Sequence, residues 1–366
     1  MARLNTSCLA RVVYSNESAA EEAALGYRTL ICNEQQAILE TDGQHFPIQL
    51  PQTQLFHEHD TVFVSEKGLG RLLYPYDSGS QTLFITAKCN SNCMMCPYTS
   101  AYRRNAKDYP SELLMDMVLY LPEHTQHLVV TGGEPTLIGS SFFSIMQAVK
   151  DRFPNIVCLL LTNGRSFSIP EIVAKAVEHL PRYTTAAIPL HAASATKHDS
   201  VTQSEGSFRQ TIHGIGNLMK TKIRVEIRIV VFQQNLHEML PIAKLLCSLP
   251  QRVHVVHFMA AEMCGNAGIN HDVVWVDYNE AFQRCIPAID LLIRNGIDVE
   301  LYNFPLCSIP PAFRALYRKS ISDYKIQYGQ QCDQCADQPL CGGVFGSSLK
   351  YAESGMKPVT GEPNEH

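Results

Sequence analysis

The sequence has no excess of basic residues, no long apolar run and no amino-terminal targeting pattern. Lysine and arginine total 30 against 35 aspartates and glutamates, and the resulting net charge of −5 argues against an electrostatic nucleic-acid surface. No apolar run approaches the roughly 18 residues that cross a bilayer. The first residues, Met1 to Asn5, lack the charged-then-apolar pattern of a signal peptide. We therefore expect a cytoplasmic protein with neither a nucleic-acid nor a membrane partner.

The sequence also lacks a disulfide framework, because 13 cysteines are an odd number and many for a cytoplasmic protein. Seven of them form two groups with metal-ligand spacing, so metal explains them better. The other six stand singly among apolar neighbours and are predicted to be small buried hydrophobes. These are Cys8, Cys32, Cys158, Cys247, Cys264 and Cys285.

The first group is Cys89, Cys93 and Cys96, with three and two intervening residues, after the apolar run 83–86. Three thiolates at this spacing can hold three corners of a [4Fe–4S] cluster and leave the fourth iron without a protein ligand. A zinc site would need a fourth Cys or His nearby, and three unrelated buried thiols are the other alternative. The open iron favours a cluster that binds a small molecule.

A second motif, Thr131-Gly132-Gly133-Glu134-Pro135, follows the apolar run 127–130. Its glycines let a ligand approach the backbone, and its carboxylate can accept from an ammonium group. Together with the cysteine loop, this motif resembles the radical S-adenosylmethionine (SAM) superfamily. The resemblance implies that SAM chelates the open iron and that residues 132–135 hold its ammonium. Met95 stands where the family usually has an aromatic residue against the adenine, and a thioether can also pack on a ring.

Strand-like and helix-like segments alternate from residue 82 onward. Six βα units predict an α/β fold, an open partial (β/α)6 barrel of parallel strands that binds ligands at their carboxyl ends. Both motifs lie at such ends. The predicted strands are 82–87, 127–131, 156–162, 183–190, 224–232 and 252–259. The predicted helices are 111–119, 140–152, 170–180, 207–220 and 236–248, followed by a helix over 278–295 and a strand over 297–302.

Residues 1–80 alternate short apolar runs with turns, which predicts a small β-rich domain. Thr41-Asp42-Gly43 is a hairpin signal, and 17–24 is a predicted helix. His57 and His59 beside Asp60 have ligand-type side chains, but a polar loop explains them better. The predicted domains are 1–80, β-rich; 81–300, the barrel; 301–350, an auxiliary iron–sulfur segment; and 351–366, a flexible tail.

Further cofactor contacts follow from the family resemblance alone. It implies SAM ribose and carboxylate contacts at the ends of the fourth and fifth strands, and backbone approach to the adenine by the small residues of 258–267. The candidates are Asn163, His191, Arg228, Asn235 and Met263. Arg224, Glu226 and Arg228 alternate along one strand and should face one way, so they need partners if buried. A solvated or structural ion pair is the alternative for each.

The second cysteine group is Cys307, Cys332, Cys335 and Cys341, with glycines at 342 and 343. Four thiols in a segment with little core of its own predict a closed metal site. The Cys-x2-Cys-x5-Cys part resembles the SPASM and twitch domains of peptide-modifying radical SAM enzymes, although the further Cys-x3-Cys of SPASM is absent. We expect one auxiliary [4Fe–4S] cluster, with zinc as the alternative.

Over its length the chain resembles the C-type (HxsC) radical SAM maturases of the His-Xaa-Ser system. The resemblance rests on Cys89-Asn90-Ser91-Asn92-Cys93, the β-rich head and the ending from Pro305-Leu306-Cys307 to Gly343. It implies a 5′-deoxyadenosyl radical that abstracts hydrogen from a ribosomally made precursor peptide with His-Xaa-Ser repeats, and a side-chain cross-link. A second maturase is a possible partner. The alternatives are a radical SAM enzyme acting on a small molecule and a silent paralogue that binds precursor or partner. No catalytic acid or base stands out among 14 histidines.

Overall fold

The structure is a computed structural model that describes residues 4, 6–33, 36–41, 44–52 and 54–359. Its strands are β1 (Cys8–Val13), β2 (Thr29–Cys32), β3 (Ala37–Thr41), β4 (Gln44–Ile48), β5 (Thr61–Val64), β6 (Gly70–Tyr74), β7 (Ser80–Phe84), β8 (His127–Thr131), β9 (Val157–Leu161), β10 (Tyr183–Pro189), β11 (Arg224–Val231), β12 (Val255–Ala260), β13 (Asp298–Tyr302), β14 (Tyr317–Arg318), β15 (Ile326–Gln327) and β16 (Val344–Phe345).

The α-helices are α1 (Asn16–Ala24), α2 (Ser100–Asn105), α3 (Ser111–Leu119), α4 (Ser140–Arg152), α5 (Pro170–His179), α6 (Ala195–Thr202), α7 (Ser207–Leu218), α8 (Met239–Cys247), α9 (Gly265–Ile269), α10 (His271–Val274), α11 (Tyr278–Arg294) and α12 (Leu349–Ala352). Short 3₁₀ segments include Pro135–Ile138, Gln233–Glu238 and Gln330–Gln334. None of the helices in the described ranges has the length and apolarity needed to cross a membrane.

The chain forms two compact units. The first contains residues up to 86 together with 107–160 and 178–184, and the second contains 87–106, 161–177 and everything from 185 onward. The first unit contains parallel strands as well as the β-rich head, and the predicted domain bounds stay a prediction.

The head of the first unit is a six-stranded sheet in the order β4-β3-β2-β1-β5-β6, around a core that includes Val12, Leu30 and Leu39. β1 and β2 are parallel and the other neighbours are antiparallel. Past the end of β4, Gln49 exchanges backbone hydrogen bonds with Gly68 and Gly70, both 2.9 Å. The two edges of the sheet thus meet at this end. The predicted hairpin turn falls on residues 42 and 43, which lie outside the described residues.

Parallel strands occur in both units, which confirms the α/β prediction. In the first unit β7, β8 and β9 pair in sequence order, and in the second β10 to β14 do the same. One face of the second set is apolar and fully buried, as at Ile227, Val256 and Leu301. The opposite face carries charged side chains. The strand register therefore puts the apolar core residues on one face of these strands and the charged residues on the other.

The predicted βα segments are present with small shifts at their ends. α3 and α4 have the predicted bounds, whereas α8 begins three residues later than predicted because Gln233–Glu238 forms a 3₁₀ segment first. Of the strands, β6, β14, β15 and β16 were not predicted. Of the isolated cysteines, Cys8, Cys32, Cys158 and Cys285 are buried as expected, but Cys247 and Cys264 are only half-buried.

Candidate metal centre and cofactor residues

The first cysteine loop is held by two asparagines from α9 and the turn after it. Asn266 Nδ2 donates to the carbonyl oxygen of Cys93 at 3.0 Å, and its backbone N–H donates to that of Cys96 at 2.9 Å. Asn270 Nδ2 donates to the carbonyl oxygen of Met94 at 2.9 Å. The loop carbonyls thus have protein partners, so the three thiols are presented by a braced backbone.

Two arginines hold the first half of the same loop. Arg103 Nη1 donates to the carbonyl oxygen of Ser91 at 2.5 Å, and its Nη2 donates to Asn92 Oδ1 at 2.6 Å. Arg165 Nη1 donates to the carbonyl oxygen of Asn90 and, at 3.1 Å, to Ser91 Oγ. The fork of a guanidinium suits such paired oxygens. Both arginines therefore fix the backbone between Cys89 and Cys93.

Asn163, a predicted cofactor contact, lies against this loop. Its Nδ2 donates to Asn90 Oδ1 at 2.6 Å and is 3.9 Å from Cys89 Sγ, while its Oδ1 accepts from the backbone N–H of Arg165 at 3.0 Å. An amide donor this close to a thiol sulfur stabilises the thiolate form. Asn163 is thus placed to support Cys89, and its contact with SAM stays a prediction.

Cys93 is half-buried. Burial raises its pKa to about 12, the neighbouring thiols of Cys89 and Cys96 add to the increase, and the charge of Arg103 opposes it. Metal binding requires the thiolate, so loading this site must release a proton from Cys93. The adjacent Met95 packs with Met263 in a buried apolar cluster, which keeps water from one side of the loop.

Gly265 lies in close contact with the end of the loop. Its φ is +56°, and a Cβ at this position would be 2.3 Å from the carbonyl oxygen of Pro97. The small residues of 258–267 were expected to suit backbone approach to an adenine, but at Gly265 the close approach is to the protein itself. Adenine contact by Met263 stays a prediction, and its backbone N–H donates to Ser348 Oγ at 3.0 Å.

The Gly-Gly-Glu-Pro turn is equally tight within the first unit. A Cβ on Gly132 would lie 2.2 Å from the carbonyl oxygen of Thr86, and its φ of +151° also favours glycine. The backbone N–H of Gly133 donates to the same oxygen at 2.6 Å. Glu134 is fully buried and its Oε1 accepts from the hydroxyl of Thr136 at 2.6 Å. The turn is therefore pre-formed, with a carboxylate in a fixed orientation, before the 3₁₀ segment that starts at Pro135.

The predicted contacts at the ends of β10 and β11 form a buried polar cluster. His191 is stacked on His198 with ring centroids 5.3 Å apart, and its backbone N–H donates to His198 Nδ1 at 3.3 Å. Burial lowers the pKa of His198 to about 4 and that of His191 well below its usual range, so both rings are neutral near pH 7. Asn235 donates to the carbonyl oxygens of His191 at 3.3 Å and Val230 at 2.9 Å. The side-chain amide group of Asn235 is therefore bonded to the protein's own backbone.

Arg228 belongs to a charged network on the polar face of β11 to β13. Its Nε donates to Glu226 Oε1 at 2.6 Å, and this carboxylate also lies 3.1 Å from His257 Nδ1. The other ring nitrogen of His257 is 3.2 Å from Glu300. The expectation that Glu226 and Arg228 share a face and need partners is confirmed, whereas Arg224 is exposed. Burial raises the pKa of Glu226, but the hydrogen bond from His257 and the charge of Arg228 lower it overall.

The second cysteine group is surrounded by backbone donors. Cys341 Sγ accepts from the N–H groups of Leu306 and Gly343, both at 3.3 Å, and Cys335 Sγ accepts from Val359 at 3.3 Å. Burial raises the pKa of Cys307 to about 11, and the backbone N–H of Lys357 opposes this. N–H groups aimed at sulfur favour thiolate ligands and tune an iron–sulfur cluster.

The four cysteines of this group line one pocket. Across the described ranges, no three His, Cys, Asp or Glu side chains converge closely enough to share a single metal ion. A single zinc would draw its thiolates to about 2.3 Å from one point. The four cysteines line one pocket, and their occupancy by an auxiliary cluster stays a prediction, with zinc as the alternative.

The predicted tail is packed as far as the structure describes it. Tyr351 lies against Trp275 with ring centroids 5.5 Å apart, Ala352 and Met356 are buried, and Val359 reaches Cys335. This differs from the expectation of a flexible segment beginning at residue 351. The polar composition suggested disorder, but backbone N–H groups and three apolar side chains attach residues 351–359 to the second unit.

The residues that brace the loops were not predicted. Arg103, Arg165 and Asn266 have no ligand-type spacing, and the Asn266 bond to Cys93 joins positions 173 residues apart. A single sequence gives no signal for such contacts. The brace follows from the tertiary fold.

Residues 83–246 match the family model described as the radical SAM superfamily. The chain is 25% identical to the AdoMet-dependent heme synthase of Nitratidesulfovibrio vulgaris, over 44% of this chain and 42% of that protein. It is 26% identical to the sporulation killing factor maturation protein SkfB of Bacillus subtilis, over 43% of this chain and 37% of that protein. The chain thus spans less than half the length of these curated relatives.

Among solved structures, SuiB of Streptococcus suis bound to the precursor peptide SuiA is similar with a TM-score of 0.49 and 13% identity. The similarity covers 63% of this chain and 49% of SuiB. The match to the family model supports iron–sulfur and SAM binding for residues 83–246.

Proposed function

Proceeding from a radical SAM domain at residues 83–246, we propose that this protein is a peptide maturase of the cytoplasm. It would use SAM and a [4Fe–4S] cluster to abstract hydrogen from a ribosomally made precursor peptide and join two of its side chains. One observation carries the proposal: three thiols lie on a backbone braced by Arg103, Arg165 and Asn266, with no fourth protein ligand in the motif. This donor set leaves one iron open for SAM.

The cluster and SAM would supply the one-electron cleavage that yields a 5′-deoxyadenosyl radical, and the protein would supply position and exclusion of water. Cys89, Cys93 and Cys96 would hold the cluster. As the family resemblance implies, the turn Gly132-Gly133-Glu134-Pro135 would hold the methionine ammonium.

The remaining cofactor residues follow the family resemblance. Met95 and Met263 would pack near the adenine, and Asn163, His191, Arg228 and Asn235 are proposed near the ribose and carboxylate. The hydrogen bond from Asn163 to Asn90 supports Asn163 as a brace of the cluster loop, and the bond from Asn235 to His191 supports Asn235 as a link between two strand ends. No catalytic acid or base is assigned.

The second group, Cys307, Cys332, Cys335 and Cys341, would bind one auxiliary [4Fe–4S] cluster, with zinc as the less favoured occupant. Its four thiols and surrounding N–H donors leave no iron open. Such a cluster could accept the electron released when the substrate radical closes into a cross-link, since cluster potentials cover a wide range set by their surroundings. Residues 301–350 are proposed as this auxiliary segment, after a barrel over 81–300 and a head over 1–80.

The substrate is proposed from two similarities. SkfB, a relative over part of the chain, is named a maturation protein of a killing factor. The HxsC-like ending and cysteine loop suggest a precursor with His-Xaa-Ser repeats, and a second maturase as a partner. A silent paralogue that only binds precursor or partner would not need an intact set of three thiols with a buried Glu134.

A small-molecule substrate is the second candidate, and the similarity to a heme synthase favours it. That relative matches nearly the same share of the chain as SkfB does. The auxiliary cysteines lie outside residues 83–246 and do not discriminate between the two substrates. Release of deoxyadenosine that depends on a tetrapyrrole and is indifferent to peptide would favour this second candidate.

The test is anaerobic. Protein reconstituted with iron and sulfide receives SAM and reductant, and deoxyadenosine and peptide mass are followed with and without a His-Xaa-Ser repeat peptide. We expect peptide-dependent deoxyadenosine and a peptide that loses two hydrogens per cross-link. Cys93→Ala should abolish both, whereas Cys247→Ala, a half-buried cysteine outside both groups, should not. If deoxyadenosine is released at the same slow rate with and without the peptide, even with a partner maturase added, the proposal of a peptide substrate is refuted.

A further inference from the structure

Arg103 carries a buried charge beside the first cysteine loop. Its side chain is 6% exposed, and its guanidinium reaches the loop through Ser91 and Asn92. Its Nε is buried without a hydrogen-bond partner. A buried guanidinium is costly unless its surroundings compensate for the lost hydration.

The compensation at Arg103 comes from neutral oxygens. The carbonyl of Ser91 and the amide oxygen of Asn92 accept its hydrogen bonds, and Ser100 Oγ also donates to Asn92 Oδ1 at 2.5 Å. Within the described part of the chain, no carboxylate lies within 4.0 Å of Arg103. Its charge is therefore not cancelled by a carboxylate and lies against the loop through Ser91 and Asn92.

Three thiolates and a reduced cluster would concentrate negative charge at this loop. A buried positive charge stabilises negative charge more strongly than an exposed one, because the local dielectric is low. Reduction of the cluster adds one electron and no proton, so a fixed cation nearby favours the reduced form. Reduction potentials of iron–sulfur clusters follow net charge, hydrogen bonds and exposure.

We propose that Arg103 is a positioning residue with two effects: its fork fixes the backbone between Cys89 and Cys93, and its uncompensated charge raises the reduction potential of the first cluster. The inference rests on the proposed cluster site and is independent of the substrate. The electron comes from an external one-electron reductant, and no bond in Arg103 changes.

The test measures potential and iron content. Wild type, Arg103→Gln, Arg103→Lys and Arg104→Gln are reconstituted anaerobically and titrated with dithionite under spin-resonance detection. The first-cluster signal is the one that changes on SAM addition and is missing in Cys93→Ala. Arg104 is the exposed neighbour on the same helix and serves as the matched control.

We expect a more negative midpoint potential in Arg103→Gln and a wild-type value in Arg104→Gln. Arg103→Lys should keep the potential close to wild type but lose iron faster, because the ammonium retains the charge and not the fork. An unchanged potential in Arg103→Gln overturns the inference. If neither Arg103 variant loads a cluster while Arg104→Gln does, the role of Arg103 is purely structural, and this outcome also overturns the inference. A wild type that loads no SAM-sensitive cluster would instead overturn the proposed function.

Discussion

The backbone of Gly265 faces the carbonyl oxygen of Pro97 so closely that a Cβ would lie 2.3 Å from it. This contact joins α9 to the residue directly after Cys96. The two asparagines that hold the loop stand on the same short segment, so the separation of Gly265 from Pro97 sets how well they reach the loop carbonyls.

Gly265→Ala should loosen the first metal site. The added methyl clashes with Pro97, and alanine at a φ of +56° carries strain on the order of 1–3 kcal/mol. We expect faster loss of iron from the first site, measured by iron release to a chelator. Gly268→Ala is the control, since its Cβ would be in ordinary contact at 3.4 Å from Met263. Equal iron retention in both variants would mean that the loop does not depend on this contact.

The buried histidine pair should make the fold sensitive to mild acid. The pKa of His198 is lowered to about 4 by burial, against 6.5 when exposed. Below pH 6.5 the His198 imidazole binds a proton in the unfolded chain but not in the folded chain, so the free energy of unfolding falls as the pH drops from 6.5 towards 4. His198→Asn keeps an acceptor for His191 and should flatten this slope between pH 7.5 and 5.5, whereas His213→Asn, on an exposed site, should not. The readout is the thermal midpoint at each pH.

The ion pair Arg314–Asp337 anchors the second cysteine segment. Its atoms are 2.7 Å apart and the two side chains are 6% and 1% exposed. Removing one partner leaves a buried charge and should cost about 3–5 kcal/mol of unfolding free energy, whereas an apolar double replacement costs less. Arg314→Met, Asp337→Leu and the double variant are compared by urea unfolding.

An exposed ion pair in the first unit supplies the control for these three variants. Arg28 and Asp116 are 3.4 Å apart with side chains 42% and 38% exposed. Arg28→Met should cost below about 1 kcal/mol. If Arg314→Met and Arg28→Met cost the same, the buried pair contributes no more than a surface one.

The end of the chain should be required for the second site and dispensable for the first. Truncation after Gly355 removes the backbone donors of Lys357 to Cys307 and of Val359 to Cys335, so iron at the second site should be lost. Truncation after Val359 retains both donors and serves as the control. Each truncation is made in a Cys93→Ala background, which empties the first site, and the iron and sulfide content of each protein is measured. Full loading of the second site after truncation at residue 355 would contradict the prediction.

The sequence predicted the parts of the fold whose period is local. The 3.6-residue pattern predicted α3 and α4 with their observed bounds, and apolar runs before polar loops indicated β8 and β9. The two motifs could be identified because their ligands are neighbours in sequence. Arg103 and Asn270 have no such signature. Each donates a hydrogen bond to a loop carbonyl that is distant in sequence or unmarked by any motif, so their role is visible only in the tertiary structure. The packed residues 351–359 were missed because they contribute backbone N–H groups, which every sequence has.

Synthesis of the chain separates its two cysteine groups in time. The cysteines of the first loop and the asparagines that brace it are complete once residue 270 has emerged from the ribosome. The second site gains its last backbone donor only with Val359. A nascent chain therefore passes through a stage at which the first group and its asparagines are all present while the second group is still incomplete. Loading of the second proposed site would then have to wait for the residues around Val359.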